Sequence, residues 1–181
     1  MNYSCGQVIW ITGPSGAGKT TLAKALLPHL PQPRLLLDGD EMREALAPLA
    51  GGYDPKSRKQ FAFTYARLCK LAAAQGINVV CATISMFHDV HRWNRENFPG
   101  YVEVYLDMPD AVCRKRDYKK VYHAHDCAGQ KTPVAGRDFP AESPEFPDII
   151  IHDSALSIKD ITESILMFLS SENGKNILDH K

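Results

Sequence analysis

Short apolar runs alternate with longer periodic stretches along the chain. Gln7–Ile11, Leu35–Leu37, Asn78–Ala82, Val102–Leu106 and Ile149–Ile151 are nearly uniform in apolar character and read as buried strands. Lys19 to Leu27 reads as a helix stopped by Pro28. Lys56 to Gln75 reads as a long helix in which Phe61, Tyr65, Leu68 and Ala72 share one face, with Gly76 ending it. Ser157 to Leu169 reads as a last helix. There Ser157 and Asp160 have capping-box spacing, and Ile158, Ile161, Ile165 and Phe168 form the apolar stripe. Strands apolar on both faces, separated by amphipathic helices, predict an α/β fold with a parallel sheet of about five strands and helices on both faces. A chain of 181 residues suits one domain. The polar tail 170–181 is expected to fray. Asp117–Pro147 has no sustained apolar period and carries Lys119, Lys120, Lys131, Arg137 and four prolines. A connection that long in a compact domain is expected to be functional, here a lid.

Composition narrows the partners. Lys+Arg and Asp+Glu both number 21, so no overall field draws nucleic acid or an anionic membrane. No apolar stretch approaches the length needed to span a bilayer, and the first run is too short for a secretory leader. Five cysteines without a C-x-x-C spacing are expected to be reduced core thiols in a cytoplasmic protein.

Candidate chemistry begins directly after the first strand. Gly13-Pro14-Ser15-Gly16-Ala17-Gly18-Lys19-Thr20 satisfies G-x-x-x-x-G-K-[ST] between a strand and a helix. The main chain of Gly13, Ser15, Gly16, Ala17 and Gly18 is expected to cradle the phosphates of ATP, at the positive end of the following helix. Lys19 is expected at the β- and γ-phosphates, Thr20 on Mg²⁺, and Thr21 beside them. The frame is that of a P-loop phosphotransferase.

Asp38 and Asp40 follow the second strand at the carboxyl edge, where ligands of open parallel sheets bind. Asp40 can accept a proton from an acceptor hydroxyl or hold a water on Mg²⁺, and Asp38 can orient the loop or the metal's surroundings. Both residues also suit a helix N-terminus. Arg43 falls one turn beyond Asp40, either as an anion ligand or as a solvated helix charge. No Asn-Lys-x-Asp guanine motif is present, which argues against a GTPase.

With these motifs in place the chain resembles the adenylylsulfate kinases over about Gln7 to Asp153. The resemblance rests on Gly13–Thr20, on Leu37-Asp38-Gly39-Asp40-x-x-Arg43, on Gly52-Tyr53 followed by Arg58, and on Ile84-Ser85. It extends to Cys113-x-x-Arg116-Asp117-x-Lys119 with Tyr122, and to Glu142-x-Pro144-x-x-Pro147. It implies a nucleoside-monophosphate-kinase-like sheet, a homodimer, and phosphorylation of the 3′-hydroxyl of a nucleotide acceptor. It also implies roles: Asp40 as base and metal-side acid, Arg43 and Arg58 on the acceptor's anionic group, and Tyr53 against its base. Ser85 would mark a wall of the site, and Arg116 or Lys119 would reach the phosphates when the lid closes. The residues implied in catalysis are thus Lys19, Asp40 and Lys119.

The acceptor side departs from the family pattern. An acceptor-site Asn is replaced by Phe61, Ile-Ser-Pro-Tyr-Arg is replaced by Ile84-Ser85-Met86-Phe87-His88, and Val134-Ala135-Gly136-Arg137-Asp138 stands for Phe-Thr-Gly-Ile-Asp. Ala82–Phe87 and Asn94-Arg95-Glu96-Asn97 resemble a subgroup that phosphorylates cytidine diphosphoramidate for capsule modification. The reaction type therefore carries over more firmly than the acceptor. Two other readings stay open: an ATP-binding regulatory module without chemistry, and a kinase for a non-nucleotide hydroxyl. His88, His91 and Trp93 are expected in a helix start or turn with ordinary packing. His123-x-His125-x-Cys127 lacks further metal ligands. The cluster Arg114-Lys115-Arg116 suits a phosphate-clamping lid better than nucleic acid.

Overall fold

The computed structural model describes residues 5–98, 100–116, 141–152 and 155–171. Five strands form one parallel sheet: β1 Val8–Thr12, β2 Arg34–Asp38, β3 Asn78–Ala82, β4 Tyr101–Leu106 and β5 Ile149–Ile151. Their spatial order is β2-β3-β1-β4-β5. Six α-helices are described: α1 Lys19–Leu26, α2 Gly39–Ala45, α3 Pro55–Ala74, α4 His88–Asn97, α5 Asp110–Lys115 and α6 Ile158–Ser170.

Strand alternation explains the two layers. Ile9 and Ile11 of β1 pack with Leu22 and Leu26 of α1 and with Ile161 and Ile165 of α6. Val8 and Trp10 point to the other face, against Phe61, Tyr65 and Cys69 of α3 and Val90 of α4. Because both faces are covered, β1 is buried at every position. The capping box at Ser157 and Asp160 is formed, and Gly76 ends α3 in the left-handed region at φ 79°.

The sequence reading missed or blurred three helices. α2, α4 and α5 are short or weakly apolar, so their periodicity is faint. α4 holds only Val90, His91 and Asn94 buried, and two of those are polar. The buried face of α3 is also wider than the stripe predicted, taking in Ala62, Ala66, Cys69 and Ala73. Among the described residues no helix is long and apolar enough to cross a membrane.

Candidate active site

Register brings the candidate residues to one edge. Ile11 of β1 pairs with Ala82 of β3, and Asp38 of β2 pairs with the same Ala82. The loop after β1, Asp38, and the turn after β3 therefore leave the sheet side by side at its carboxyl ends. The chain turns back beside β1, between β3 and β4, and such a crevice is the usual ligand position. Thr12 Oγ1 donates to the Ile84 carbonyl at 2.6 Å and clasps the end of β1 to the turn after β3.

The phosphate loop has a backbone only glycine adopts easily. Gly16 sits at φ 78°, and a Cβ there would lie 2.5 Å from the Cys113 carbonyl oxygen of α5. Lys19 Nζ arches over the loop and donates to the carbonyls of Gly13 at 2.9 Å and Pro14 at 2.6 Å. The glycine-shaped cradle at the start of α1, spanned by an ammonium, fits a polyphosphate.

Asp38 joins this loop to β2. It is 5 % exposed and caps α2, its Oδ1 accepting the Asp40 N–H at 3.0 Å. Its Oδ2 accepts the Thr20 hydroxyl at 2.6 Å. The cap and the link to the phosphate loop are therefore one residue's two oxygens. Asp40 is exposed in the first turn of α2. The Thr20 hydroxyl and the Asp38 carboxylate at the phosphate loop, with Asp40 in the adjoining helix turn, are oxygen donors of the kind Mg²⁺ takes.

Beyond α2 lies a second group. The Arg43 guanidinium sits 4.6 Å from the Tyr53 ring centre and 4.9 Å from that of Phe61. Arg58 sits 5.3 Å from the same Tyr53 ring, and its Nε donates to the Tyr53 carbonyl at 2.7 Å. Tyr53 itself is exposed. Burial, and then the like charge of Arg43, pull the Arg58 guanidinium below its usual value. Two cations gathered around one aromatic ring are relieved by an anion carried on a planar group. Phe61, 2 % exposed, offers Arg43 a ring face and no hydrogen bond.

Ser85 lies in the turn after β3. It is buried, and its hydroxyl pairs with Thr83 Oγ1 at 2.8 Å, so its side chain stiffens the turn. Of the expected lid, only the closing part lies within the described residues. Residues 141–147 dock on the body, because Glu142 N–H donates to the Met86 carbonyl at 3.1 Å and Pro144 is buried. The Glu142 carboxylate accepts the His88 N–H at 2.6 Å, which caps α4. Lys119, Asp117, Tyr122, His123, His125, Cys127 and Val134 lie outside the described residues. Among the described residues no cluster of three potential metal ligands of the His, Cys, Asp or Glu type occurs.

On the other side of the phosphate loop is a cavity of about 250 Å³. Ala17, Gly18, Thr21 and Arg116, which were anticipated, line it together with Met108, Leu156 and Ile158, which were not. Apolar walls with one guanidinium suit a flat heterocycle leading into the phosphate loop. Leu156 carried no signal in the sequence beyond being an apolar residue ahead of α6.

Sheet order, phosphate loop and the acidic edge of β2 define a P-loop kinase of the nucleoside-monophosphate-kinase type. A family profile described as adenylylsulphate kinase matches residues 5–152, and the chain belongs to that family, whose members are phosphotransferases acting on a hydroxyl acceptor. It is 36% identical over 174 residues to an adenylyl-sulfate kinase of Paraburkholderia xenovorans, covering 93% of this chain and 96% of that one. It is 35% identical over 150 residues to a cytidine diphosphoramidate kinase of Campylobacter jejuni, covering 81% of this chain and 86% of that one. The structure of a Mycobacterium tuberculosis APS kinase in complex with AMPPNP and APS superposes with a TM-score of 0.81 at 27% identity. That match covers 92% of this chain and 99% of that one.

Proposed function

We propose that this protein transfers the γ-phosphoryl group of ATP to the 3′-hydroxyl of a nucleotide acceptor, with adenylylsulfate the first candidate. The observation that carries the reading is the Asp38–Thr20 bond. It links the phosphate loop to the acidic edge beside Asp40, one helical turn from the Arg43–Tyr53–Arg58 group. In this reading ATP sets its base in the cavity of Met108, Leu156 and Ile158, near Arg116. Its phosphates take the main chain of residues 13–18, and Lys19 exchanges its two carbonyl partners for phosphate oxygens. Mg²⁺, held by Thr20 with Asp40 and Asp38 nearby, would neutralise charge on the transferring group.

The acceptor places its base at Tyr53 and its anionic group at Arg43 and Arg58. Asp40 orients the hydroxyl and takes its proton as the oxygen bonds to the γ-phosphorus. The bond from that phosphorus to the β-γ bridging oxygen breaks, and ADP leaves. Positioning and charge stabilisation carry most of the rate. Lys119 is assigned to the phosphates from the lid. A homodimer and a cytoplasmic location belong to the same proposal.

Phe61 favours a second acceptor. An apolar ring under Arg43, together with likeness to the Campylobacter jejuni cytidine diphosphoramidate kinase, supports cytidine diphosphoramidate on the same site. Product analysis by mass spectrometry separates the two. Purified protein is given Mg-ATP with each acceptor, and kcat/KM is compared. A 3′-phosphorylated product from at least one is expected, and ATP binding without transfer to either would overturn the proposal.

A further inference from the structure

A buried polar cluster under the acceptor side is unused by the chemistry above. His91 of α4 is 6 % exposed and Glu103 of β4 is 2 % exposed. His91 Nε2 lies 2.8 Å from the main-chain oxygen of Ser85. Its Nδ1 faces Glu103 Oε1 in ion-pair contact and has no other hydrogen-bonding partner among the described residues. Glu103 Oε1 also accepts the Tyr101 hydroxyl at 2.7 Å, and Oε2 lies 3.7 Å from Arg95 Nη2 of α4. Arg95 in turn pairs with Asp148 at 3.0 Å, and that carboxylate accepts the Glu103 N–H at 2.7 Å. The Tyr101 hydroxyl receives Asn94 Nδ2 at 3.4 Å.

Both ring nitrogens of His91 thus confront oxygens. A main-chain carbonyl only accepts, and Glu103, with a hydroxyl donating to one oxygen and a guanidinium near the other, is set up as a carboxylate. Either neutral tautomer would aim a nitrogen lone pair at an oxygen lone pair inside a buried cluster. A proton on each nitrogen removes that conflict and balances the charge of Glu103.

We propose that His91 is a positioning residue for the acceptor site. As an imidazolium it bridges Glu103 on β4 to the carbonyl of Ser85, spanning β1 and pinning the turn 83–86 at the sheet edge. The inference rests on the reading of that turn as part of the acceptor site. The neighbouring restraints on the turn include neutral hydrogen bonds from Thr12 to Ile84, from the N–H groups of Thr83, Phe87 and Glu142 to Ile11, Ser85 and Met86, and between the Thr83 and Ser85 hydroxyls. His91 ties the turn instead to a charged group anchored in a central strand. Without it, Ser85 O keeps the Phe87 N–H at 3.0 Å but loses its link to β4, and Glu103 keeps Arg95 at 3.7 Å but loses its charged contact on Oε1.

Three measurements on the full chain test this. In ¹⁵N-histidine-labelled protein at pH 7, long-range proton–nitrogen correlation should show both His91 nitrogens protonated, the signals being assigned by their loss in H91Q. A single neutral tautomer would overturn the bridge. Amide exchange at residues 83–86 should quicken about 10-fold or more in H91Q, as loss of a charge-assisted hydrogen bond predicts, and return toward wild type in H91R, which keeps two donors and a fixed charge. Unchanged exchange in H91Q would overturn the pinning. With whichever acceptor is turned over, H91Q should raise the acceptor KM about 10-fold while the ATP KM and kcat stay within about 2-fold, and H91R should restore it. Parallel loss of ATP affinity would mean a merely structural role. Should H91Q fail to fold, H91R decides: near wild-type exchange and acceptor KM support the bridge, and their loss overturns it. If wild type phosphorylates neither acceptor, the functional reading fails, while the nitrogen and exchange data still decide the bridge.

Discussion

Replacing Asp38 by alanine removes two bonds from two different parts of the site. Oδ1 caps α2 through the Asp40 N–H, and Oδ2 holds the Thr20 hydroxyl at 2.6 Å. Loss of an Asp cap costs about 1 kcal/mol. A hydrogen bond to an ionised, buried carboxylate contributes about 1.5–3 kcal/mol. Part of the sum is returned, because the alanine variant no longer buries a charge. The expected net loss in Asp38→Ala is therefore roughly 2–3 kcal/mol, or a fall in Tm of roughly 5–10 °C for a chain of this size. Asp38→Asn keeps the cap, since an amide oxygen accepts the Asp40 N–H equally well. Its amide group then donates to Thr20 in place of accepting from it. That variant should lose only about 1 kcal/mol, the charge-assisted share. Urea unfolding followed by circular dichroism measures both. An alanine variant within about 0.5 kcal/mol of wild type, or an asparagine variant as unstable as the alanine one, would refute the two-oxygen account.

Lys19→Ala and Asp40→Asn should each abolish phosphoryl transfer while leaving the unfolding transition within about 1 kcal/mol of wild type, since neither side chain is in the core; near-normal turnover in either purified variant would remove it from the mechanism. Gly16→Ala should weaken nucleotide binding at least ~10-fold in calorimetric titration, because the new methyl falls 2.5 Å from the Cys113 carbonyl at a left-handed position; unaltered affinity would mean the loop adapts without cost. Side-chain and then main-chain hydrogen bonds from Ser57 hold Asp54 below the ordinary value of 3.8, and Ser157 does the same for Asp160. A lowered folded-state value stabilises above 3.8 and is lost as pH falls below it. The Tm deficit of an Asp54→Asn, Asp160→Asn double variant should thus be full near neutrality and shrink as pH falls below 3.8 toward the lowered folded-state values; a deficit independent of pH would contradict the assignment.

Local pattern was enough for the elements that carry a strong period or a special backbone. The apolar runs of β1, β3 and β4 needed no tertiary knowledge, because a strand buried on both faces is nearly uniform in apolar character, Glu103 being the charged exception in β4. The glycines of the phosphate loop were equally plain, since the residue type reports the dihedral directly. Periodicity failed at α4, where the buried positions include His91 and Asn94. Polar residues in a buried stripe look like a solvated turn until their partners are known. Ile158 passed as a core residue and Leu156 drew no notice, because an apolar side chain lining a ligand cavity has the composition of one that packs a core.

The sequence by itself determined the chemistry of the phosphate loop, the acid at the end of β2, and the layered α/β class. Each depends on residues close together in the chain, whose spacing encodes a helix turn, a pleat or a tight loop. Only the tertiary structure decided which distant groups meet. Parallel register set Asp38 against Thr20, carried Glu142 to the start of α4, and buried His91 between Glu103 and the Ser85 carbonyl. Asp38 ends β2 and Thr20 follows β1, consecutive strands that β3 separates in the sheet; Glu103 lies in β4 and Ser85 follows β3, consecutive strands that β1 separates, so nothing in local spacing specifies those contacts. They follow from packing two apolar layers on one sheet.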